Sequence, residues 1–240
     1  MKTSDKANPP EKKEENKNPK QSERTENIIA VAVFAVLILI GVSIFTKGFG
    51  LLDKSAGAGD RFRVPLGNDP FIGSNNASVI IIAFSDYECP FCKKGEAIIK
   101  DILAKYPDDV IYVFKDSPLT TNHPNAYNSA LAAECAKEQN KYWEYHDYLF
   151  EHSDQLEIRY LKEYAVLLGL DSARFNDCLD NQRYKSEVEQ DMRTAELIGV
   201  TGTPTFFIRN IRVADAVRII GAQPEEEFIK VINSEMNEKK

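Results

Sequence analysis

Ala77-Ser78-Val79-Ile80-Ile81-Ile82-Ala83-Phe84-Ser85-Asp86-Tyr87-Glu88-Cys89-Pro90-Phe91-Cys92 is the stretch that decides the fold of this chain. Its first half is a short apolar, β-branched run, the pattern of a buried strand. Beyond the second cysteine, Ile98, Ile99, Ile102, Leu103 and Tyr106 recur three and four residues apart, which places them on one face of a helix. The cysteine pair therefore falls at a strand-to-helix junction. There Cys89 lies beside unpaired helix N–H groups and the positive end of the macrodipole, both of which favour thiolate over thiol. Pro90, as the first residue inside the helix, sacrifices no hydrogen bond.

A Cys-x-x-Cys pair is also half of a zinc site, so the pair alone leaves two readings: a redox dithiol, which we favour, and zinc. A four-cysteine zinc site needs a second close pair, and Cys135 and Cys178 are isolated from each other in the sequence. His123, His146 and His152 are dispersed without a metal-ligand spacing, and we expect no metal and no cofactor. Neither a Walker loop nor a Gly-x-Gly-x-x-Gly after a strand is present. From Asp60 onward the chain carries 21 basic and 30 acidic residues, a balance that argues against a nucleic-acid partner.

The 240 residues are 43% hydrophobic, enough for a sizeable core, but the apolar residues are unevenly placed. Residues 1–26 contain no aromatic residue, leucine, valine or isoleucine, and are expected to form a disordered cytoplasmic tail. Ile28 to Phe45 is an uncharged apolar run of eighteen residues, the lower length for crossing a hydrocarbon core of about 30 Å. We expect a transmembrane signal anchor over 27–46. Ala56-Gly57-Ala58 resembles a cleavage site but lies more than ten residues past the apolar run, which disfavours a cleavable signal peptide. Seven Lys and Arg precede the anchor and four follow it in residues 47–66, so the tail stays inside and the remainder faces outward. Residues 47–62, with four glycines, read as a flexible linker, and 63–240 as the folded domain.

Within that domain, Val110 to Phe114 reads as a second buried strand ended by Lys115-Asp116-Ser117-Pro118. The segment from about 123 to 199 is rich in helix formers and reads as four or five helices, with Gly169 and Gly199 as C-terminal stops. Thr205 to Ile208 and Val217 to Ile220 then form a hairpin, followed by a closing helix from about Pro224 to Met236.

Phe84 to Cys92, Ala132-Ala133-Glu134-Cys135-Ala136, and Gly199-Val200-Thr201-Gly202-Thr203-Pro204-Thr205-Phe206-Phe207 together resemble the DsbA-like thiol:disulfide oxidoreductases of the thioredoxin superfamily, in motif order and spacing over about residues 70 to 235. The resemblance implies an α/β thioredoxin-like fold with an inserted helical subdomain. It implies Cys89 as nucleophile and Cys92 as the resolving cysteine. Thr203-Pro204 resembles the cis-proline loop that packs beside the dithiol, and Pro90, Phe91, Thr203 and Pro204 are the expected substrate contacts. With Cys89 and Cys92 pairing locally, Cys135 and Cys178 have only each other, so a structural disulfide is expected, two buried free thiols being the alternative.

Two positions depart from the family. Ala83 stands six residues before Cys89, where thioredoxin and several relatives carry a buried acid, and Phe91 stands where the strongest oxidants have histidine. Asp86 and Glu88 are nearer acids, Glu88 reading as a solvated loop acid, and His123 is assigned no role. The expected activity is donation of the Cys89–Cys92 disulfide to exported proteins, with reoxidation by a membrane-embedded, quinone-linked oxidase of the DsbB or VKOR type. The alternatives are an isomerase or reductase, or a non-catalytic chaperone-like protein. A monomer is expected, since the 33 residues between Phe45 and Val79 are too few for the separate dimerisation domain of the isomerases.

Overall fold

A computed structural model describes residues 61–237. The expected tail and anchor, and all but the last two residues of the expected linker, lie outside those residues. No helix among the described residues is long and apolar enough to cross a membrane.

Six strands form one sheet: β1 Arg61–Arg63, β2 Phe71–Gly73, β3 Val79–Ser85, β4 Val110–Asp116, β5 Thr205–Asn210 and β6 Asp215–Ile220, in the order β1-β6-β5-β3-β4-β2. β3 and β4 run parallel, joined by helix α1 (Pro90–Lys105), and the other neighbours are antiparallel. β3 is buried along its whole length because both of its faces are covered. Val79, Ile81 and Ala83 join Tyr112, Phe114, Phe206 and Ile208 in the larger core, which also takes in Cys92, Ile99 and Ile102 from α1. Ile80, Ile82 and Phe84 face the other way with Val113, Phe207 and Ala216. Two covered faces explain the near-continuous apolar run in the sequence.

Between α1 and the hairpin come five helices: α2 Ala126–Lys137, α3 Tyr142–Glu151, α4 Ile158–Leu167, α5 Ser172–Asp180 and α6 Lys185–Leu197, and the chain closes with α7 Glu225–Asn237. Ala195 at the end of α6 packs on the second core, with Ile198 and Val200 beside it. Gly169 and Gly199 end α4 and α6 in the left-handed region, both at φ 73°. In each case the next residue's N–H reaches back to the helix, Leu170 to the Ala165 carbonyl and Val200 to the Ala195 carbonyl, both at 2.9 Å.

Two details differ from the sequence reading. Arg61 and Phe62, assigned to the linker, already pair with Val217 and Ala216 at the sheet edge; a three-residue strand is too short to show a pattern. β4 runs on through Lys115 and Asp116, which were read as its end. The Lys115 charge is tolerated inside because its ammonium contacts both Asp69 and Asp191 at 2.8 Å. Burial and the neighbouring carboxylates raise the Asp116 carboxyl well above the ordinary carboxylate range, and the Asp116 N–H donates to Asp191. Burial holds the Asp191 carboxyl up at about 6, against the pull of Lys115. The β5–β6 turn, which lacks Asn-Gly, is organised by Arg209, whose guanidinium donates to the carbonyls of Asn210, Ile211 and Val213.

Candidate active site

α1 begins at the dithiol because Cys89 is its N-cap, in extended conformation at φ −80°, ψ 120°, and Pro90 supplies the first helical residue. The Cys92 N–H closes the first turn onto the Cys89 carbonyl at 3.0 Å. The inward positions of α1 are Cys92, Gly95, Glu96, Ile99 and Ile102, so helical spacing fixes Cys92 against the sheet while Cys89 stays at the tip. Cys92 is wholly buried and Cys89 is 4% exposed. Both thiols are free.

The environment drives the two thiols apart in acidity. The Cys92 thiol donating to Cys89 is the largest influence on Cys89; burial opposes it, and the N–H groups of Cys92 and Phe91 and the Thr203 side chain assist. The net effect lowers Cys89 to about 5, so it is a thiolate at neutral pH. Cys92 is pushed far above the ordinary thiol range, first by burial and then by its bond to the Cys89 thiolate. An ionised thiol at the helix start in front of a protonated one a turn inside is the arrangement that nucleophile and resolving cysteine require.

The Thr203–Pro204 peptide is cis, and the Thr203 carbonyl oxygen lies 3.5 Å from Cys89 Sγ. Gly95 lets this loop approach α1: a Cβ there would meet Phe206 at 3.0 Å and Pro204 at 3.3 Å. Of the four expected substrate contacts, Phe91 is 59% exposed and Pro90 is exposed beside Cys89. Thr203 is half-buried, and Pro204 is buried under the thiols. Cys135 on α2 and Cys178 on α5 are bonded to each other, with Cα atoms 5.8 Å apart. That bond uses both of the sulfurs a four-cysteine zinc site would need.

The two nearby acids hold structure in place. Asp86 is buried and its carboxylate accepts from the N–H groups of Glu88 and Leu119 and contacts His123 Nδ1, at 2.7 to 2.8 Å. Glu88 is not a solvated acid: it accepts from Asn125 N–H at 2.8 Å and Nδ2 at 3.2 Å, at the start of α2. His123 has more of a role than the sequence assigned. Burial lowers its pKa, but the bond to Asp86 and the charges of Asp86 and Cys89 outweigh burial and raise it.

Behind the dithiol lies a buried polar chain that sequence reasoning did not find. The Tyr87 hydroxyl is 3.1 Å from both the Tyr142 hydroxyl and His146 Nδ1. His146 Nε2 is 3.2 Å from Glu96, which also accepts from the Tyr112 hydroxyl. The available signal was Glu96 itself, a charge one helical turn after Cys92 on the inward face. Glu96 and His146 line a cavity of about 250 Å³ whose other walls include Ile72, Ile99, Leu103 and Trp143.

The family model described as Thioredoxin matches residues 66–233. Among solved structures, alpha-DsbA1 of Wolbachia pipientis superposes with a TM-score of 0.63 at 23% identity, covering 72% of this chain and 92% of that one. Oxidised BdbD of Bacillus subtilis gives a TM-score of 0.64 at 23% identity, covering 75% and 99%. A curated relative, Na(+)/H(+) antiporter NhaA 3 of Salinispora tropica, is 41% identical over 140 residues, 58% of this chain and 21% of that protein. This chain thus spans about a fifth of that antiporter's length. Fewer residues of the chain lie outside 66–233 than match the antiporter, so the shared segment includes part of the thioredoxin domain.

Proposed function

The chain belongs to the thioredoxin family with the fold of the DsbA proteins, and from that premise we propose that it is a membrane-tethered thiol:disulfide oxidoreductase that oxidises exported proteins. The observation that carries this reading is the contrast between Cys89, ionised at neutral pH, and Cys92, protonated and buried. Stabilising the thiolate stabilises the dithiol form, and a protein whose reduced form is favoured gives its disulfide away.

In the reaction, a substrate thiolate attacks Cys89 Sγ of the Cys89–Cys92 disulfide. A mixed disulfide forms and the electron pair of the broken S–S bond passes to Cys92. A second substrate thiolate then attacks the substrate's own sulfur in the mixed disulfide, a substrate disulfide forms, and Cys89 leaves as the thiolate its surroundings favour. The exposed Phe91 ring, with Lys94 Nζ 5.5 Å from its centre, gives an apolar surface beside Cys89 for an unfolded substrate. The apolar segment 28–45 and the basic residues ahead of it support an anchor that places the domain outside the membrane. A quinone-linked thiol oxidase of the DsbB or VKOR type would restore the disulfide. The antiporter similarity contributes only that a related segment occurs within a membrane transporter; ion transport is not part of the proposal.

The test is the reduction potential of the Cys89–Cys92 couple in a glutathione series, together with oxidation of a reduced dithiol peptide. Since Phe91 provides no imidazolium, we expect a potential between about −270 mV and about −120 mV, and stoichiometric oxidation of the peptide. A potential as low as the first value, or efficient refolding of scrambled ribonuclease by a dimer, would replace the oxidase by a reductase or an isomerase.

A further inference from the structure

Ser85 is the last residue of β3, and its position is over-determined. It pairs with Asp116 in the parallel ladder, and its carbonyl accepts from the Ser117 N–H at 2.8 Å. Side chains alternate along a strand, so Ser85 shares a face with Val79, Ile81 and Ala83, the face packed in one core with Cys92. Ser85 is buried, yet its hydroxyl makes no hydrogen bond among the described residues. A buried hydroxyl without a partner costs stability, and a role in another state of the protein's cycle is one explanation for keeping it. Immediately next to it, the Asp86 N–H points at Cys92 Sγ, 3.4 Å away.

We propose that the Ser85 hydroxyl, with the Asp86 N–H as its companion, is the donor pair that receives the Cys92 sulfur when it departs as a thiolate. The proposal rests on the exchange reading above and assigns a specific atom to its first step. Attack on Cys89 forms the substrate–Cys89 S–S bond, breaks the Cys89–Cys92 bond, and leaves the electron pair on Cys92 Sγ. Cys92 later takes a proton from solvent, replacing the one the substrate thiol released. In the dithiol described here Cys92 carries its own proton toward Cys89, so the hydroxyl stands idle; in the mixed disulfide it has an anion to donate to. Ser85 is also one of the groups that pull the acidity of Cys92 back toward ordinary values against burial. This places the assistance at the leaving sulfur, whereas a buried acid at position 83 would act on the proton; Ala83 leaves that path without a carboxylate.

The experiment uses the full-length, oxidised chain and follows attack on its disulfide by reduced glutathione, which reports the leaving group whatever the physiological substrate. Ser85→Ala should slow this step about three- to tenfold, as expected when a leaving thiolate loses one hydrogen bond. Alkylation of Cys89 in the reduced chain should keep its rate and its inflection near pH 5, and the oxidised chain should keep its melting temperature, neither of which a general structural defect would spare. Ser85→Thr, which retains the hydroxyl, should recover most of the rate. A Ser85→Ala chain that reacts as fast as the parent, or Ala and Thr variants slowed equally, would overturn the proposal. Failure of the unaltered chain to oxidise a reduced dithiol peptide would count against the exchange reading instead, and the glutathione comparison would still decide the role of Ser85.

Discussion

The chain places two cysteine pairs in opposite chemical settings. Cys89 and Cys92 are separated by one helical turn at the start of α1, both free and both buried, one at the N-cap and one on the inward face of the helix. Cys135 and Cys178 are 43 residues apart in sequence, wholly inside the helical layer, and bonded. All four sulfurs share one apolar core, but the first pair also has donors that favour a charged sulfur on Cys89, whereas the second is closed in a bond that cannot titrate. Sulfur chemistry here is decided by which backbone N–H groups and hydroxyls are left unspent nearby, and a helix start supplies them where a helix middle cannot.

The sharpest way to break this contrast is to delete one sulfur from each pair. Cys89→Ala should abolish peptide oxidation, with activity lost by a factor of a thousand or more on the order of magnitude typical for a missing nucleophile, whereas Cys178→Ala should leave the initial rate within about twofold of the parent in a stopped-time assay at 25 °C. Equal losses would mean that the second pair takes part in exchange.

Stability should divide the other way. Opening the Cys135–Cys178 loop of 43 residues should cost about 4 kcal/mol on the chain-entropy account, read as a lower midpoint in urea. Replacing Cys92 by Ala should cost less in the reduced chain, because that sulfur closes no loop there.

A third test uses pH. Cys89 is held near 5 in the folded chain, well below an ordinary thiol, so between about pH 5 and pH 8.5 the unfolded chain binds the extra proton. The reduced form should therefore gain stability relative to Cys89→Ala as pH rises through that window, level off above it, and lose the advantage as pH falls through 5. The stability added by the Cys135–Cys178 bond should show no such dependence. A difference curve for Cys89 that is flat between pH 5 and 8 would remove the thiolate from the account.

The smallest expected effect concerns His123. Its pKa is raised through Asp86 and the Cys89 charge, and the interaction is reciprocal. His123→Ala should move the inflection for Cys89 alkylation upward by less than about one pH unit. An inflection that does not move would show that the imidazole faces the sulfur uncharged.

What could be read in advance follows the range of the forces involved. The strand before Cys89, the α1 face and the two glycine stops are written in neighbouring residues, by periodicity and backbone freedom, and these were legible. The Thr203-Pro204 loop was legible only as a resemblance, since its place beside Cys89 comes from a residue 114 positions away. The Tyr87–His146–Glu96–Tyr112 chain and the Glu88–Asn125 contact were not legible. Each member alone reads as an aromatic core residue or a surface charge, and only the folded backbone brings them together. The continuation of β4 through Lys115 and Asp116 was hidden for the same reason: the carboxylate that makes a buried lysine tolerable, Asp191, arrives from α6.

Asp86 and Glu88, two carboxylates flanking Tyr87 ahead of the nucleophile, each hold a different part of the segment that leads into the helical layer: Leu119 and His123 for one, Asn125 for the other. Mechanically the redox turn is therefore suspended from the layer above it by two short struts. A push on α2 cannot travel far without stretching hydrogen bonds of 2.7 to 2.8 Å, so load applied to the layer is delivered to the peptide units next to Cys89. A force on that roof would bear on the same lever that positions Cys89.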